Sequence, residues 1–262
     1  MRRVLVLVGL VVVLTGCGHR APLRQGYEGQ VGDEFGASGA GLQYGTCKDC
    51  IPAIDDPKFE TRDEADKWLK DEDEVLGLDY QGEHKAYPVK ILNWHEVVND
   101  RVIVTYSALC GSAVMFESEV KWGVSGRLKD GCLVMYNKET NELVSQLDSD
   151  LGRVPVQVLT WREWQTAHPA TLVLARDTGW TRDYEVDPYP ERELRGVMYE
   201  VKAGGETKTY TLETIKQETA DDGVLMDVVG GEKIRLSYSQ GEIVVENLKT
   251  KQKIIPVRLL SQ

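Results

Sequence analysis

Gly82-Glu83-His84-Lys85-Ala86-Tyr87-Pro88-Val89 returns later in the chain as Gly205-Glu206-Thr207-Lys208-Thr209-Tyr210-Thr211-Leu212. The likeness continues through a helix-length segment to Val104-Thr105-Tyr106-Ser107 against Leu236-Ser237-Tyr238-Ser239, with about nine extra residues in the second copy. A repeat of this kind marks one supersecondary unit used twice. Each unit reads as strand, turn, strand, helix, strand. Features held by one copy only are the better candidates for a site. Trp94, His95 and the Leu109-Cys110-Gly111-Ser112 turn belong to the first copy alone, whereas the second has Gln217, Glu218 and no cysteine there.

Local patterns around the first copy specify its elements. A strand over residues 75–80, a Gln81-Gly82 turn and a strand over 83–87 closed by Pro88 predict a hairpin. A helix follows over 89–98, with Ile91, Trp94, His95 and Val98 on one face. Upstream, Ala65, Trp68 and Leu69 at helical spacing predict a short acidic helix over 61–70. Downstream, strand-like runs at 101–107, 113–117, 121–125, 132–136 and 142–147 are separated by turn residues, the mark of an antiparallel sheet. Thr160-Trp161-Arg162-Glu163 has the form of a capping box, so a helix is expected from Trp161 to Ala167, with Trp161 and Trp164 facing the sheet. The fold class is α+β: a predominantly antiparallel β-sheet protein with a few short helices, in two related β-hairpin–helix–strand units.

The first residues give an address. Arg2 and Arg3 precede an apolar run that ends in Leu14-Thr15-Gly16-Cys17, which has the form of a bacterial lipoprotein export signal. Eleven apolar residues, Val4 to Leu14, are too few to cross a bilayer. The expected organisation is a leader over 1–16, a lipidated Cys17 with a glycine-rich tether over 17–46, a main domain over 47–190 and a C-terminal repeat-like unit over 191–262. The tether has eight glycines between Gly18 and Thr46 and little periodicity. The expected location is the cell envelope, outside the cytoplasm, with the membrane as partner through lipid at Cys17. Because Gly18 is not aspartate, the outer membrane is the expected destination if the host has one. Net charge is −11 for the whole chain and −13 once Arg2 and Arg3 leave with the leader. So acidic a surface excludes nucleic acid as a partner and suits a tethered, soluble body.

Several blocks resemble one family. Ile51-Pro52-Ala53-Ile54-Asp55-Asp56-Pro57, Ala86-Tyr87-Pro88, Ile91-Leu92-Asn93-Trp94-His95-Glu96-Val97-Val98-Asn99-Asp100, Thr105 to Phe116, Gly123-Val124-Ser125-Gly126 and Asp177-Thr178-Gly179…Arg182-Asp183-Tyr184 look like the bacterial domain of unknown function 3179. The similarity covers roughly Asp49 to Tyr189 and implies an exported or surface protein, with no established reaction. The family commonly reads Cys-Pro-Leu-Cys-Gly where this chain has Ser107-Ala108-Leu109-Cys110-Gly111. It also tends to have glycine at Cys50, a small or acidic residue at Cys132 and tryptophan at Val144. This chain therefore replaces one cysteine of a pair by Ser107 and carries others.

Lipidation of Cys17 leaves Cys47, Cys50, Cys110 and Cys132 as thiols or disulfide partners. Cys110, Cys132 and His95 form the nearest set for a soft metal ion, copper or zinc, since thiolate and imidazole are what such ions favour. A structural disulfide between Cys110 and Cys132 competes with it. Cys47-Lys48-Asp49-Cys50 is followed by Ile51-Pro52 and lacks the strand-to-helix setting of a reactive redox pair, so a clasp at the domain's entrance is expected. His95, on the apolar face of its helix, is a hydrogen-bonded core histidine by default, or else a base or ligand. The helix–strand order brings the end of strand 101–107 back toward His95, so Cys110 and His95 are expected to lie close together. His84 at a turn and His168 at a helix end are expected to be structural. Asp177, Asp183, Glu185 and Asp187 lack the register of a calcium loop and read as a self-bonded loop. The leading function is a binding or scaffold role outside the cytoplasm. One alternative is a thiol-dependent enzyme with Cys110 as nucleophile and His95 as its base; another is a structural surface module with all four cysteines in disulfides.

Overall fold

The structure, a computed structural model, describes residues 41–190, 196–219, 223–239 and 242–261. The leader, Cys17 and most of the expected tether lie outside the described residues. In chain order the elements are β1 (Gln43–Tyr44), β2 (Phe59–Thr61), α1 (Arg62–Ala65), β3 (Glu74–Tyr80), β4 (Glu83–Pro88), α2 (Val89–His95), β5 (Val97–Asn99), β6 (Ile103–Ser107), β7 (Ser112–Phe116), β8 (Trp122–Lys129), β9 (Cys132–Asn137) and β10 (Leu143–Ser145). They continue with β11 (Arg153–Val154), β12 (Gln157–Thr160), α3 (Trp161–Ala167), β13 (Leu172–Leu174), β14 (Gly196–Ala203), β15 (Glu206–Thr211), α4 (Leu212–Glu218), β16 (Leu225–Val229), β17 (Glu232–Ser239), β18 (Glu242–Asn247), β19 (Lys253–Ile254) and β20 (Val257–Ser261). Among the described strands pairing is antiparallel except between β13 and β4, with one further parallel bridge from Ile54 to Val98, so the α+β, antiparallel reading holds. No helix among the described residues is long and apolar enough to cross a membrane.

The β3–β4 hairpin forms as the sequence dictates. Gln81 and Gly82 both take left-handed backbone (φ 51° and 82°), the two-residue turn whose twist matches that of paired strands. Its register sets Tyr80 opposite Glu83 and Asp79 opposite His84. In the second copy Gly204-Gly205 makes the same turn between β14 and β15. The repeat then extends further than sequence reading predicts: β3-β4-α2-β5-β6-β7 is matched by β14-β15-α4-β16-β17-β18. A polar knot recurs with it. Asp100 accepts hydrogen bonds from Lys85 Nζ and Tyr87 OH, both at 2.7 Å. Asp227 accepts them from Lys208 Nζ and Tyr210 OH at 2.6 and 2.9 Å. What the two copies share is therefore scaffold.

The copies are joined edge to edge. β3 and β4 belong to a five-stranded sheet ordered β12-β3-β4-β13-β2, and β16 to β19 form a sheet of their own. β14 and β15 continue through β20 into β7-β6-β5, with β11 also on β7, to give a seven-stranded sheet. A fourth sheet, β1-β8-β9-β10, packs its Trp122, Val124, Leu133 and Met135 against Val97, Ile103, Val114 and Phe116.

Three expectations are corrected. The helix predicted over 61–70 is a single turn, α1, with Thr61 and Glu64 as a capping box; the following residues turn tightly so that Trp68 and Leu69 both reach apolar neighbours. The helix predicted over 89–98 stops at His95, because Glu96 takes left-handed backbone (φ 56°) and Val97-Val98-Asn99 then pairs with β6 on one side and Ile54 on the other. β-branched residues with strand partners on both sides outweigh the helical spacing. The tether ends sooner than Thr46: Gln43 and Tyr44 pair with β8, and the N–H groups of Gly45 and Thr46 both donate to Gly126 O. Helix α3 runs over its predicted residues, with Trp161 and Trp164 fully buried beside Leu69, Val75 and Val173. Trp164 lies flat on Gly77, where a Cβ would stand 2.3 Å from the indole. Trp94 sits at the rim instead, its Nε1–H donating to Val186 O.

Candidate functional site

Sequence blocks far apart meet where α2 ends. His95 is fully buried, with Nδ1 2.8 Å from Pro52 O and Nε2 2.8 Å from Tyr184 OH. A carbonyl only accepts, so Nδ1 carries the proton, and Nε2 of the neutral ring accepts from the phenol. The Tyr184 oxygen is 2.6 Å from Thr178 Oγ1, which donates to it in turn. Burial pulls the His95 pKa down to about 4; the Pro52 carbonyl opposes this and the Arg182 charge adds to it. Three of the blocks that carry the family resemblance, those of Pro52, His95 and Thr178–Tyr184, are thus tied by one hydrogen-bond chain. Both ring nitrogens are committed.

Glu96, next in the chain, is buried as well. Burial raises its carboxyl to about 7, while hydrogen bonds from Tyr189 OH at 3.3 Å and the Ala108 N–H oppose the rise. Glu96 also helps to line a small cavity of about 50 Å³, together with Ile51, Leu109, Arg127, Leu133 and Tyr189 among others. Its walls are pinned covalently. Cys110, beside Leu109, is paired with Cys132, beside Leu133, and Cys47 is paired with Cys50, which lines the cavity (Cα–Cα 5.4 and 5.3 Å). The Gly126 bulge of β8 docks the entering chain against this wall; a Cβ there would stand 2.1 Å from Thr46 O.

The expected ligand set of His95, Cys110 and Cys132 therefore has other partners: each sulfur has the other, and His95 has Pro52 and Tyr184. α2 does pack on β6, as the helix–strand order implied. Ser107, in the place of the family's first cysteine, accepts a hydrogen bond from the Leu133 N–H. Ser125 is buried and donates to Val134 O. The acidic loop is held only in part by its own bonds: Asp183 and Asp187 accept from backbone N–H groups two residues on, whereas Asp177 pairs with Lys58 and Glu185 with Lys90, both outside the loop.

Sequence reading missed two things. Glu96 was a charged residue inside the apolar run Trp94 to Val98, and that position was its only signal. The other is a cluster at the far end of the β3–β4 hairpin: one ligand atom each of Asp79, His84 and His168 lies within 4.8 Å of the others, the one such group of three among the described residues. His84 and His168, expected to be separate structural histidines, stack at 4.4 Å between ring centroids. Burial lowers the His168 pKa, and the neighbouring His84 lowers it further.

A family model described as a protein of unknown function, DUF3179, matches residues 48–193, a span that takes in Pro52, His95, Cys110, Cys132, Thr178 and Tyr184. No curated protein and no solved structure matches.

Proposed function

This chain belongs to the DUF3179 family, and we propose that it acts as a lipid-anchored binding module of the cell envelope. The observation that carries this reading is the state of Cys110 and His95. The sulfur is bonded to Cys132 and both imidazole nitrogens are occupied, so this pair supplies neither a nucleophile with its base nor a thiolate for a soft ion. The same segments instead wall a small cavity that Glu96 helps to line, a rigid concave place suited to the end of a ligand.

The address rests on Leu14-Thr15-Gly16-Cys17. Two paired cystines support an oxidising compartment, and each buried methylene of an acyl chain adds about 0.8 kcal/mol to membrane attachment. The test combines fractionation with a thiol count. Wild type is expected in the membrane fraction with no reactive thiol under non-reducing conditions, and Cys17→Ser is expected as unprocessed or released protein. A reactive Cys110 thiol in the mature protein would turn the reading toward a thiol enzyme, and membrane retention of Cys17→Ser would remove the anchor.

A further inference from the structure

We propose that Asp79, His84 and His168 form a binding site for a divalent transition ion of the imidazole-favouring class, zinc or copper(II), at the edge of the β3–β4 hairpin. Atoms bonded to one tetrahedral zinc at about 2.0–2.2 Å stand about 3.3–3.6 Å apart. The first edge of that tetrahedron already exists: His84 Nδ1 is 3.3 Å from Asp79 Oδ1. His84 Nδ1 is shielded from solvent and has no hydrogen-bond partner, so a ligand atom is directed at the carboxylate without using its lone pair or proton there. The remaining ligand-atom distances are at most 4.8 Å, so the triad has to contract by only about 1 Å to reach that spacing.

The backbone holds these groups in place. Asp79 and His84 are direct cross-strand partners across a two-residue turn. His168 caps the end of α3 and its ring stacks on Trp164 at 4.0 Å. The turn after it is tied to β4, since Thr171 N–H donates to His168 O and Thr171 Oγ1 donates to His84 O. Two imidazoles and one carboxylate on rigid elements, with Asp79 exposed on the outer side, leave a coordination position open to water or to a ligand from solution. The second copy of the repeat supplies the contrast. There the equivalent cross-strand pair is Lys202 with Thr207, a cation and a hydroxyl that make no such site.

Zinc titration of the full mature chain against a chromophoric chelator tests the proposal. It is run in a His19→Ala background, because His19 lies two residues after Cys17 and offers a competing terminal ligand. One zinc per chain is expected, and His84→Ala, His168→Ala and Asp79→Asn are each expected to weaken binding roughly tenfold or more. Since His168→Ala also removes a stacking partner of Trp164, a second measurement uses the unsubstituted triad: zinc is expected to move the NMR ring signals of His84 and His168 and to leave those of His95 in place. Unmoved His84 and His168 signals, or undiminished affinity in the His84→Ala/His168→Ala double variant, would overturn the site. Either failure leaves the envelope reading standing, because that rests on Cys17 and the thiol count.

Discussion

His95 and Glu96 are consecutive in the chain, are both buried, and have proton affinities displaced in opposite directions, the imidazole down to about 4 and the carboxyl up to about 7. Their ordinary values are 6.5 and 4.5, so between about pH 4.5 and 6.5 the folded protein keeps both neutral while the unfolded chain charges both. The number of bound protons is then the same in the two states, and the pair adds no net pH dependence in that window.

Single substitutions expose the two halves. Glu96→Gln leaves His95 alone, whose contribution is present above pH 6.5 and is lost as pH falls through about 4. His95→Asn leaves Glu96 alone, whose contribution is complete below pH 4.5 and is lost as pH rises through about 7. Each slope spans about 3 kcal/mol at most. Urea unfolding across this range checks it; equal slopes in wild type and both variants would count against the buried, opposed pair.

The two cystines close loops of different length. Cys110 and Cys132 are 22 residues apart and Cys47 and Cys50 are 3 apart, so chain entropy gives about 3 kcal/mol for the first and about 2 kcal/mol for the second. Replacing both members of each pair by serine is expected to lower the melting temperature more for 110/132. The reverse order would show that the loop at the entrance carries more of the structure than its length implies.

Asp100 and Asp227 permit an internal comparison. Lys85 and Asp100 are 12% and 14% exposed, Lys208 and Asp227 49% and 24%. Asp100→Asn leaves the shielded Lys85 ammonium only the Glu83 carboxylate, 3.3 Å away, and is expected to cost about 1–3 kcal/mol, while Asp227→Asn is expected to cost about 1 kcal/mol or less. Chemical denaturation of the two variants decides it, and a larger loss at Asp227 contradicts it.

Tryptophan position predicts a second ranking. Trp161→Ala empties a fully buried site and is expected to cost about 3–5 kcal/mol. Trp94→Ala, at the rim, is expected to cost about 1–2 kcal/mol. Gly77→Ala forces a methyl into the Trp164 ring and is expected to cost about 1–3 kcal/mol. A melting curve for Gly77→Ala that matches wild type would show that Trp164 can move.

Local chemistry made much of this fold readable. The Gln81-Gly82 turn, the Thr160–Glu163 capping box and the repeat each depend on residues close in sequence. The end of α2 was not readable, because one of the two partners that hold Val97-Val98-Asn99 as a strand, Ile54, lies more than forty residues upstream. Asp79 opposite His84 did follow from the two-residue turn, yet their meeting with His168 depends on how α3 packs on β3, which no periodicity encodes. His95 was recognisable as a core histidine by its apolar face; its partners Pro52 and Tyr184 arrive from loops.

β20 fits between β14 and β7, pairing Arg258 with Ala113, 145 residues earlier. Until β20 docks, that part of β7 stays bare, wherever the chain folds. During that time β7 is an open edge that another copy can occupy. Folding among other copies therefore endangers this protein at the seam between its two halves, and a short peptide spanning Val257–Ser261, supplied before β20 docks, would act there as a surrogate strand.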